Sequence, residues 1–210
     1  MLLKKLMKMH IQKQYLTKSL LKAKPELIIT TKKVNLIYKD TTRLKRFLYD
    51  PTGLRKKLEV LLGVIQDFLM SSKSGCLNLG YFGVSHIEVD VTLCGSHKIK
   101  SLNSTYRNKL KVTDVLSFPV YETLRIESES FVEPGPVLHL GDIFICREVA
   151  FRQAKEFKIS FEEEVLHLFV HGFLHLCGYD HEVSREEEEL MFCLEEKLLD
   201  KISKKLKKIK

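Results

Sequence analysis

Apolar residues recur along this chain with two different spacings, and the change from one spacing to the other predicts a mixture of strands and helices. Every second residue is apolar from Ile87 to Leu93, which is typical of a half-buried strand. Between Leu54 and Leu69 the apolar residues follow the helical period instead, which predicts a helix with one buried face. Further strands are predicted at residues 34–38, 114–118 and 137–146, and further helices around residues 99–106 and at 147–157.

Two helix starts carry capping signals. Ser160 followed by Glu163, and Ser184 followed by Glu187, match the capping box, in which serine and glutamate side chains satisfy free backbone amides. The first of these helices leads into a histidine-rich segment. Along the second helix we predict an apolar stripe formed by Leu190, Leu194 and Leu198.

The order of these elements predicts an α+β fold, in which a small mixed β-sheet packs against several helices. The connections are long enough for crossovers between strands, and the 210 residues contain no internal repeat. We assign residues 33–200 to this one domain. Residues 1–32 are predicted to be a basic N-terminal extension, and residues 201–210 a lysine-rich tail.

Basic side chains are concentrated at the two ends of the sequence. Residues 1–24 hold seven lysines and residues 201–210 hold six, and neither stretch contains an acidic residue. Residues 25–200 therefore carry a net charge of −5, although the whole chain has a net charge of +8. Such ends suit a polyanionic partner such as RNA; the alternative is that they are solvated segments that aid solubility.

The cysteines and the apolar runs are typical of a protein with reduced thiols and no membrane-spanning segment. No apolar run approaches the roughly 20 residues needed to cross a bilayer, and lysines interrupt the N-terminus where a secretory signal would lie. Residues 1–24 lack acids, as organellar presequences do, but they also lack the arginines that such presequences favour. The five cysteines are scattered and form no C-x-x-C pair. We therefore expect a cytoplasmic location and no disulfides.

Three histidines, His171, His175 and His181, form the pattern H-x3-H-x5-H. The first two lie on one face of a helix, and Gly178 suits the end of that helix, after which the chain can fold back. Three imidazoles that converge in this way make a catalytic-type zinc site with one open coordination position, one zinc per chain. The alternative is a cluster of ordinary core or surface histidines.

The neighbours of these histidines narrow the chemistry. Zinc peptidases of the H-E-x-x-H type carry a glutamate base directly after the first histidine, where this chain has Gly172. We therefore expect a metal hydrolase that is not a peptidase of that mechanism. Cys177 is predicted to point into the core. His167 lies too far along the helix to share the ion, and we interpret it as a neighbour of the ligands or the substrate, or as a core or surface histidine.

Several segments carry a resemblance to a known family. Residues 171–181 read HGFLHLCGYDH, residues 102–109 read LNSTYRNK and residues 113–119 read TDVLSFP, with weaker matches at 140–143 and 191–195. In this combination, residues 33–200 resemble the YbeY family of bacterial and organellar endoribonucleases. Leu110 and Val112 stand where the family usually has aspartate and proline, so we expect the loop after Arg107 to differ.

The resemblance implies a zinc-dependent, single-strand-specific endoribonuclease that acts in small-subunit ribosomal RNA maturation and ribosome quality control. Carried over by residue, His171, His175 and His181 are the zinc ligands, and Arg107 is the functional arginine of the cleft. A guanidinium is suited to hold a phosphate and to stabilise charge in the transition state; the alternative for such an arginine is a surface salt bridge. The implied partners are single-stranded RNA, ribosomal RNA and the small ribosomal subunit.

The sequence leaves the proton acceptor and two other functions open. The acceptor is a water activated by zinc, a carboxylate such as Asp180 or Asp114, or the 2′-hydroxyl of the RNA. Asp180 is also suited to orient a histidine ligand or to cap the turn. A non-catalytic ribosome-assembly factor with structural zinc is disfavoured, because structural sites usually have four protein ligands. A metal hydrolase of another substrate is the second alternative.

Overall fold

The computed structural model describes residues 27–42, 51–71, 84–125 and 136–209. This part of the chain contains five strands: β1 (Leu27–Thr30), β2 (Val34–Asp40), β3 (His86–Cys94), β4 (Val115–Pro119) and β5 (Val137–Cys146). It also contains five helices: α1 (Pro51–Leu69), α2 (Ser96–Arg107), α3 (Arg147–Phe157), α4 (Phe161–Leu176) and α5 (Arg185–Lys207). Most of the predicted N-terminal extension, residues 1–26, lies outside the described residues.

The strands form one mixed sheet in the order β1-β2-β3-β5-β4. The three central strands, β2, β3 and β5, are parallel, and the edge strands β1 and β4 are antiparallel to their neighbours. The predicted α+β fold with a small mixed sheet and several helices is therefore confirmed. A register shift between β3 and β5 at Glu88/Val89 places one extra residue in β5.

The main core lies between one face of the sheet and the helices α1, α4 and α5. Ile87, Val89, Val91 and Leu93 of β3 are buried here, as the alternating pattern predicts. Helix α4 contacts α1, α3, α5, β4 and β5, so it lies at the centre of the packing. A smaller cluster on the opposite face of the sheet packs α2 against Phe144 of β5.

Two segments at the ends of the described chain are more ordered than the sequence pattern indicated. Strand β1 falls within the predicted extension and pairs with β2 over its whole length. Helix α5 continues into the predicted tail as far as Lys207, and Ile202 is buried.

The apolar stripe predicted along α5 is confirmed at Leu198 and wrong at its other two positions. Leu190 is exposed and Leu194 is only partly buried. The buried face of the helix consists of Met191, Glu195, Leu198 and Ile202. A glutamate therefore occupies a core position.

The described residues include four cysteines, and all four are free thiols: Cys94, Cys146, Cys177 and Cys193. No helix among these residues is long and apolar enough to span a membrane.

Candidate metal centre

Helix α4 and the turn after it carry the three histidines. The helix begins at the predicted capping box, in which Glu163 N donates to Ser160 Oγ over 3.2 Å and Ser160 N donates to the Glu163 carboxylate over 2.8 Å. It ends at Leu176, and Gly178 follows with φ +92°, a conformation that glycine adopts without strain. A Cβ at Gly178 would lie 2.4 Å from Thr123 Oγ1, so the close approach also requires glycine.

The three imidazole rings converge on one point. The Nε2 atoms of His171 and His175 are 3.2 Å apart. One nitrogen from each of His171, His175 and His181 lies within 4.8 Å of the other two. Among the described residues, this is the one group of at least three histidine, cysteine or acidic side chains that meets this criterion.

The spacing of the nitrogens fits a tetrahedral metal ion. Zinc–nitrogen bonds of 2.0–2.1 Å at tetrahedral angles place two ligand nitrogens about 3.4 Å apart. The observed separation of 3.2 Å between the Nε2 atoms is close to that value. His181 Nδ1 is buried and has no hydrogen-bond partner within the described part of the chain. The cluster therefore has the geometry of a three-ligand metal site.

Burial affects the protonation of His175, the second histidine of the cluster. Burial of the ring, followed by repulsion from His171 and His181, lowers the pKa of His175 to about 4. His175 is therefore neutral at pH 7, which leaves a nitrogen lone pair for a metal.

Glu195 of α5 contacts His171 on the side of the ring that faces away from the other two histidines. Its Oε2 lies 3.0 Å from His171 Nδ1, and its Oε1 lies 2.7 Å from His167 Nε2. Burial would raise the pKa of Glu195, but the hydrogen bonds with these two histidines lower it to about 2. A carboxylate that accepts from His171 Nδ1 leaves Nε2 unprotonated and directed at the cluster.

His167 lies beside the cluster of three histidines and is not part of it. Its Nδ1 is 3.4 Å from the carboxylate of Glu164, which is fully buried, and its Nε2 meets Glu195. Hydrogen bonds with Glu164 and Glu195 raise the pKa of His167 to about 10, so it is a cation at neutral pH. His167 and Glu195 therefore form an ion pair next to His171.

Two residues inside the histidine motif face away from the metal position. A Cβ at Gly172 would lie 2.8 Å from Ser117 Oγ and 2.9 Å from Ile143 Cγ2, so this position of α4 packs directly on β4 and β5. A glutamate at position 172 would face the sheet in this fold. Cys177 is fully buried, as the sequence analysis predicts.

Arg107 reaches the turn that carries the third histidine. Its Nη2 donates to both carboxylate oxygens of Glu182, over 2.7 and 2.6 Å, and Glu182 directly follows His181. Both side chains are substantially exposed. The structure thus brings the end of α2 to the histidine cluster through a surface ion pair.

The two carboxylates considered as proton acceptors have different surroundings. Asp180 Oδ1 accepts from Glu182 N over 2.9 Å, which caps the turn before His181. Asp114 accepts from Gln153 Nε2 over 2.9 Å and from Val115 N over 2.8 Å. Although burial opposes it, these hydrogen bonds lower the pKa of Asp114.

Three residues at the centre were not selected from the sequence. Glu195 and Glu182 make the contacts described above, and Phe192 stacks its ring on His181 with 6.3 Å between centroids. All three lie outside the helix that carries the first two histidines. Phe192 and Glu195 lie within the weaker family match at 191–195, but that match alone assigned neither a role.

Comparisons with known proteins identify the family of this chain. The family described as Endoribonuclease YbeY matches residues 65–203. The chain is 45% identical over 130 residues to an endoribonuclease YbeY of Aquifex aeolicus, covering 62% of this chain and 80% of that protein. It is 43% identical over 148 residues to an endoribonuclease YbeY of Thermodesulfovibrio yellowstonii, covering 70% of this chain and 87% of that protein.

Among solved structures, the solution structure of TM1509 from Thermotoga maritima matches with 24% identity and a TM-score of 0.47. That match covers 82% of this chain and 92% of the other. On the extent of the family match and the identity to these relatives, the chain belongs to the YbeY family of endoribonucleases.

Proposed function

We propose that this protein is a zinc-dependent endoribonuclease that cleaves single-stranded RNA and acts on ribosomal RNA of the small subunit and in ribosome quality control. Its family supports the coarser statement directly: the chain is a hydrolase that acts on RNA, as the sequence predicts. The observation that carries the proposal is that three imidazoles converge at the end of α4. Arg107, the last residue of α2, contacts the turn that holds the third of them.

The donor set supports zinc as the metal. His171, His175 and His181 would hold one ion through ring nitrogens, and three protein ligands leave a fourth position for water or substrate. A zinc ion bound there supplies a Lewis acid and lowers the pKa of a bound water. A closed structural site would need a fourth protein ligand, and the described residues supply three, which disfavours the non-catalytic assembly factor.

The chain's own residues prepare the site before the substrate arrives. Glu195 holds His171 in the tautomer that directs Nε2 to the cluster, and burial keeps His175 neutral. Gly172 packs on the sheet, so this position has no room for the glutamate base of the zinc peptidases. The lack of that base disfavours a peptidase of the H-E-x-x-H mechanism.

Arg107 is the group proposed to bind the phosphate. Its guanidinium is exposed, lies on the turn of His181 and already donates to two oxygens of a carboxylate, Glu182. A phosphate presents the same bidentate acceptor geometry and can take the place of Glu182. The guanidinium then stabilises the charge that develops on the phosphate oxygens.

The metal assignment can be tested by elemental analysis of the purified protein and its variants. The intact chain should hold close to one zinc, and His171→Ala or His175→Ala should lose it. His97→Ala, an exposed histidine of α2, is the matched control and should keep its zinc. Full zinc occupancy in the His171 and His175 variants would show that the ligands are wrong.

The enzymatic assignment needs a separate measurement with single-stranded RNA. The protein should cleave the RNA, and a chelator should abolish cleavage. Arg107→Ala should keep its zinc and its fold but lose most of the cleavage. If the unmodified, zinc-loaded protein cleaves no RNA in a chelator-sensitive way, the assembly-factor hypothesis replaces this one.

A further inference from the structure

Phe192 is an aromatic side chain that remains 49% exposed beside the histidine cluster. Its ring is stacked on the ring of His181, with 6.3 Å between centroids and 16° between planes. His181 therefore covers part of one face of the phenyl ring. The exposed remainder is an apolar, planar surface that is available to a second planar group.

Phe192 is linked to the metal position from two sides. It contacts His181, and it lies three residues before Glu195, so the two side chains share a face of α5. Glu195 in turn contacts His171 over 3.0 Å. A group that stacks on Phe192 is consequently a direct neighbour of a substrate held at the histidines.

A concavity extends from Phe192 along α5. It has a volume of about 460 Å³ and is lined by Phe192, Glu195, Glu196, Leu199, Asp200 and Ser203. Eleven residues separate its ends, which corresponds to about 16 Å of helix. Two of its carboxylates are already paired, Glu195 with two histidines and Asp200 with Lys204. The exposed phenyl face at the end of this surface is apolar and planar, so it suits a base of an RNA and not a phosphate.

We propose that Phe192 is a stacking platform for a nucleobase of single-stranded RNA next to the phosphate that is cleaved. This inference rests on the proposed function. Every base presents a π-face, so the platform binds without selecting one base. Bases in a duplex are already stacked on their neighbours, so the platform also accounts for a preference for single strands.

The test compares side chains that keep or lose the aromatic face. Phe192→Leu keeps an apolar side chain but has no ring, and Phe192→Tyr keeps the ring. For a short single-stranded RNA, the leucine variant should show a KM raised by about tenfold, since stacking on one aromatic ring is worth roughly that factor or more. The tyrosine variant should stay within about twofold of the unmodified protein. Phe157→Leu, at an exposed phenylalanine of α3, is the matched control.

A binding measurement separates a platform from a support for His181. Zinc affinity should be the same in the leucine variant and in the unmodified protein. The Kd for a single-stranded RNA should rise with KM when binding is measured on a 2′-O-methyl RNA that the protein is first shown not to cleave. If the leucine variant instead loses zinc and its RNA affinity is restored by excess metal, Phe192 only supports His181 and the inference is overturned.

RNAs that lack single bases can identify which base stacks on Phe192. In a series of RNAs that each lack one base near the cleavage site, the unmodified protein should show weakened binding for one position. The leucine variant should be indifferent to the loss of that base. Equal KM values and equal abasic profiles for the two proteins would overturn the platform alone. Absence of any RNA cleavage by the unmodified protein would overturn the proposed function, and the platform with it.

Discussion

Each of the three imidazoles at the centre has a different environment. Glu195 accepts a hydrogen bond from His171, the ring of Phe192 lies against His181, and burial lowers the pKa of His175. The low pKa of His175 keeps its ring neutral at pH 7, and the neutral ring is the form that binds a metal. The three rings already converge, so the protein needs little rearrangement to accept an ion.

Removal of the charge on Glu195 should weaken metal binding. In Glu195→Gln the amide no longer balances the charge on His167, and it can present its NH2 group to His171 Nδ1. Loss of such a carboxylate partner typically lowers metal affinity by about 10–100-fold. A competition titration with a chromophoric chelator measures the zinc Kd. Glu196→Gln, at the exposed neighbouring residue, is the control and should bind as the unmodified protein does; an equal Kd for both variants would contradict the orienting role.

Release of Arg107 from Glu182 should improve substrate binding. One guanidinium nitrogen of Arg107, Nη2, donates to both oxygens of Glu182, so Glu182 competes with a phosphate for Arg107. Exposed ion pairs are worth about 0–1 kcal/mol, so Glu182→Gln should lower the KM for RNA by up to about fivefold and leave the free energy of unfolding nearly unchanged. Glu189→Gln, which breaks the exposed pair with Arg185, is the control. A raised KM would mean that Glu182 positions Arg107 and does not compete with the substrate.

At the scale of elements, the metal centre depends on how closely α4 packs on the sheet. Gly172 is the contact point, because an added Cβ would lie under 3.0 Å from atoms of both β4 and β5. His171 lies next to this contact, and His175 lies almost one turn further on. The direction in which both rings emerge is therefore set by the position of the helix on the sheet.

Substitution of Gly172 should destabilise the fold even though alanine is the better helix former. Overpacking typically costs about 1–3 kcal/mol, and the favourable helix propensity of about 1 kcal/mol offsets part of that cost. Gly172→Ala should therefore lower the free energy of unfolding by up to about 2 kcal/mol. Gly63→Ala in α1 is the matched control, because a Cβ there meets nothing within 4 Å, and it should stabilise by about 0.5–1 kcal/mol. The free energies of unfolding of the metal-free proteins can be measured by denaturant titration. A higher free energy of unfolding for Gly172→Ala than for the unmodified protein would contradict the close contact.

Local signals predicted those elements that depend on local physics. Helix α3 has the predicted bounds, and α4 begins at the predicted capping box. The three histidines could be placed together because two lie on one helix and the third follows a glycine turn. Strand β1 was missed because its four residues are defined by pairing with β2.

The parts that were not predicted come from contacts between distant segments. The face of α5 was assigned wrongly at two of its three positions because a glutamate, Glu195, occupies a buried position and interrupts the apolar pattern. That glutamate is buried because it meets two histidines of α4, which no pattern within α5 can indicate. Glu182 and Phe192 likewise acquire their roles only when α2 and α5 meet the turn of His181.

At the scale of the whole molecule, charge is divided between an acidic body and basic ends. Residues 25–200 carry a net charge of −5, and thirteen lysines lie in residues 1–24 and 201–210. The C-terminal lysines lie partly on α5, where Lys204 pairs with Asp200 and Lys205 pairs with Asp67. Deletion of residues 201–210 would remove the buried Ile202, so their charge is better tested by substitution.

Neutralisation of exposed lysines at the end of α5 should weaken RNA binding and flatten its dependence on salt. Each lysine that contacts a phosphate of a single strand adds about 0.7 to the slope of log K against log salt concentration. Replacement of Lys201, Lys207 and Lys208 by glutamine should therefore reduce the slope by up to about 2, and removal of residues 1–24 by up to about 5. Zinc content should not change, because the proposed ligands lie elsewhere.

The control for this series is a second set of three exposed basic residues, Arg152, Lys155 and Lys158 at the end of α3. Their replacement by glutamine changes the net charge by the same amount but at a different place. If the slope depends only on net charge, the two triple variants will give the same line. A smaller slope for the α5 variant alone places the RNA along α5. Lines that superimpose on that of the unmodified protein would show that the basic ends do not contact RNA.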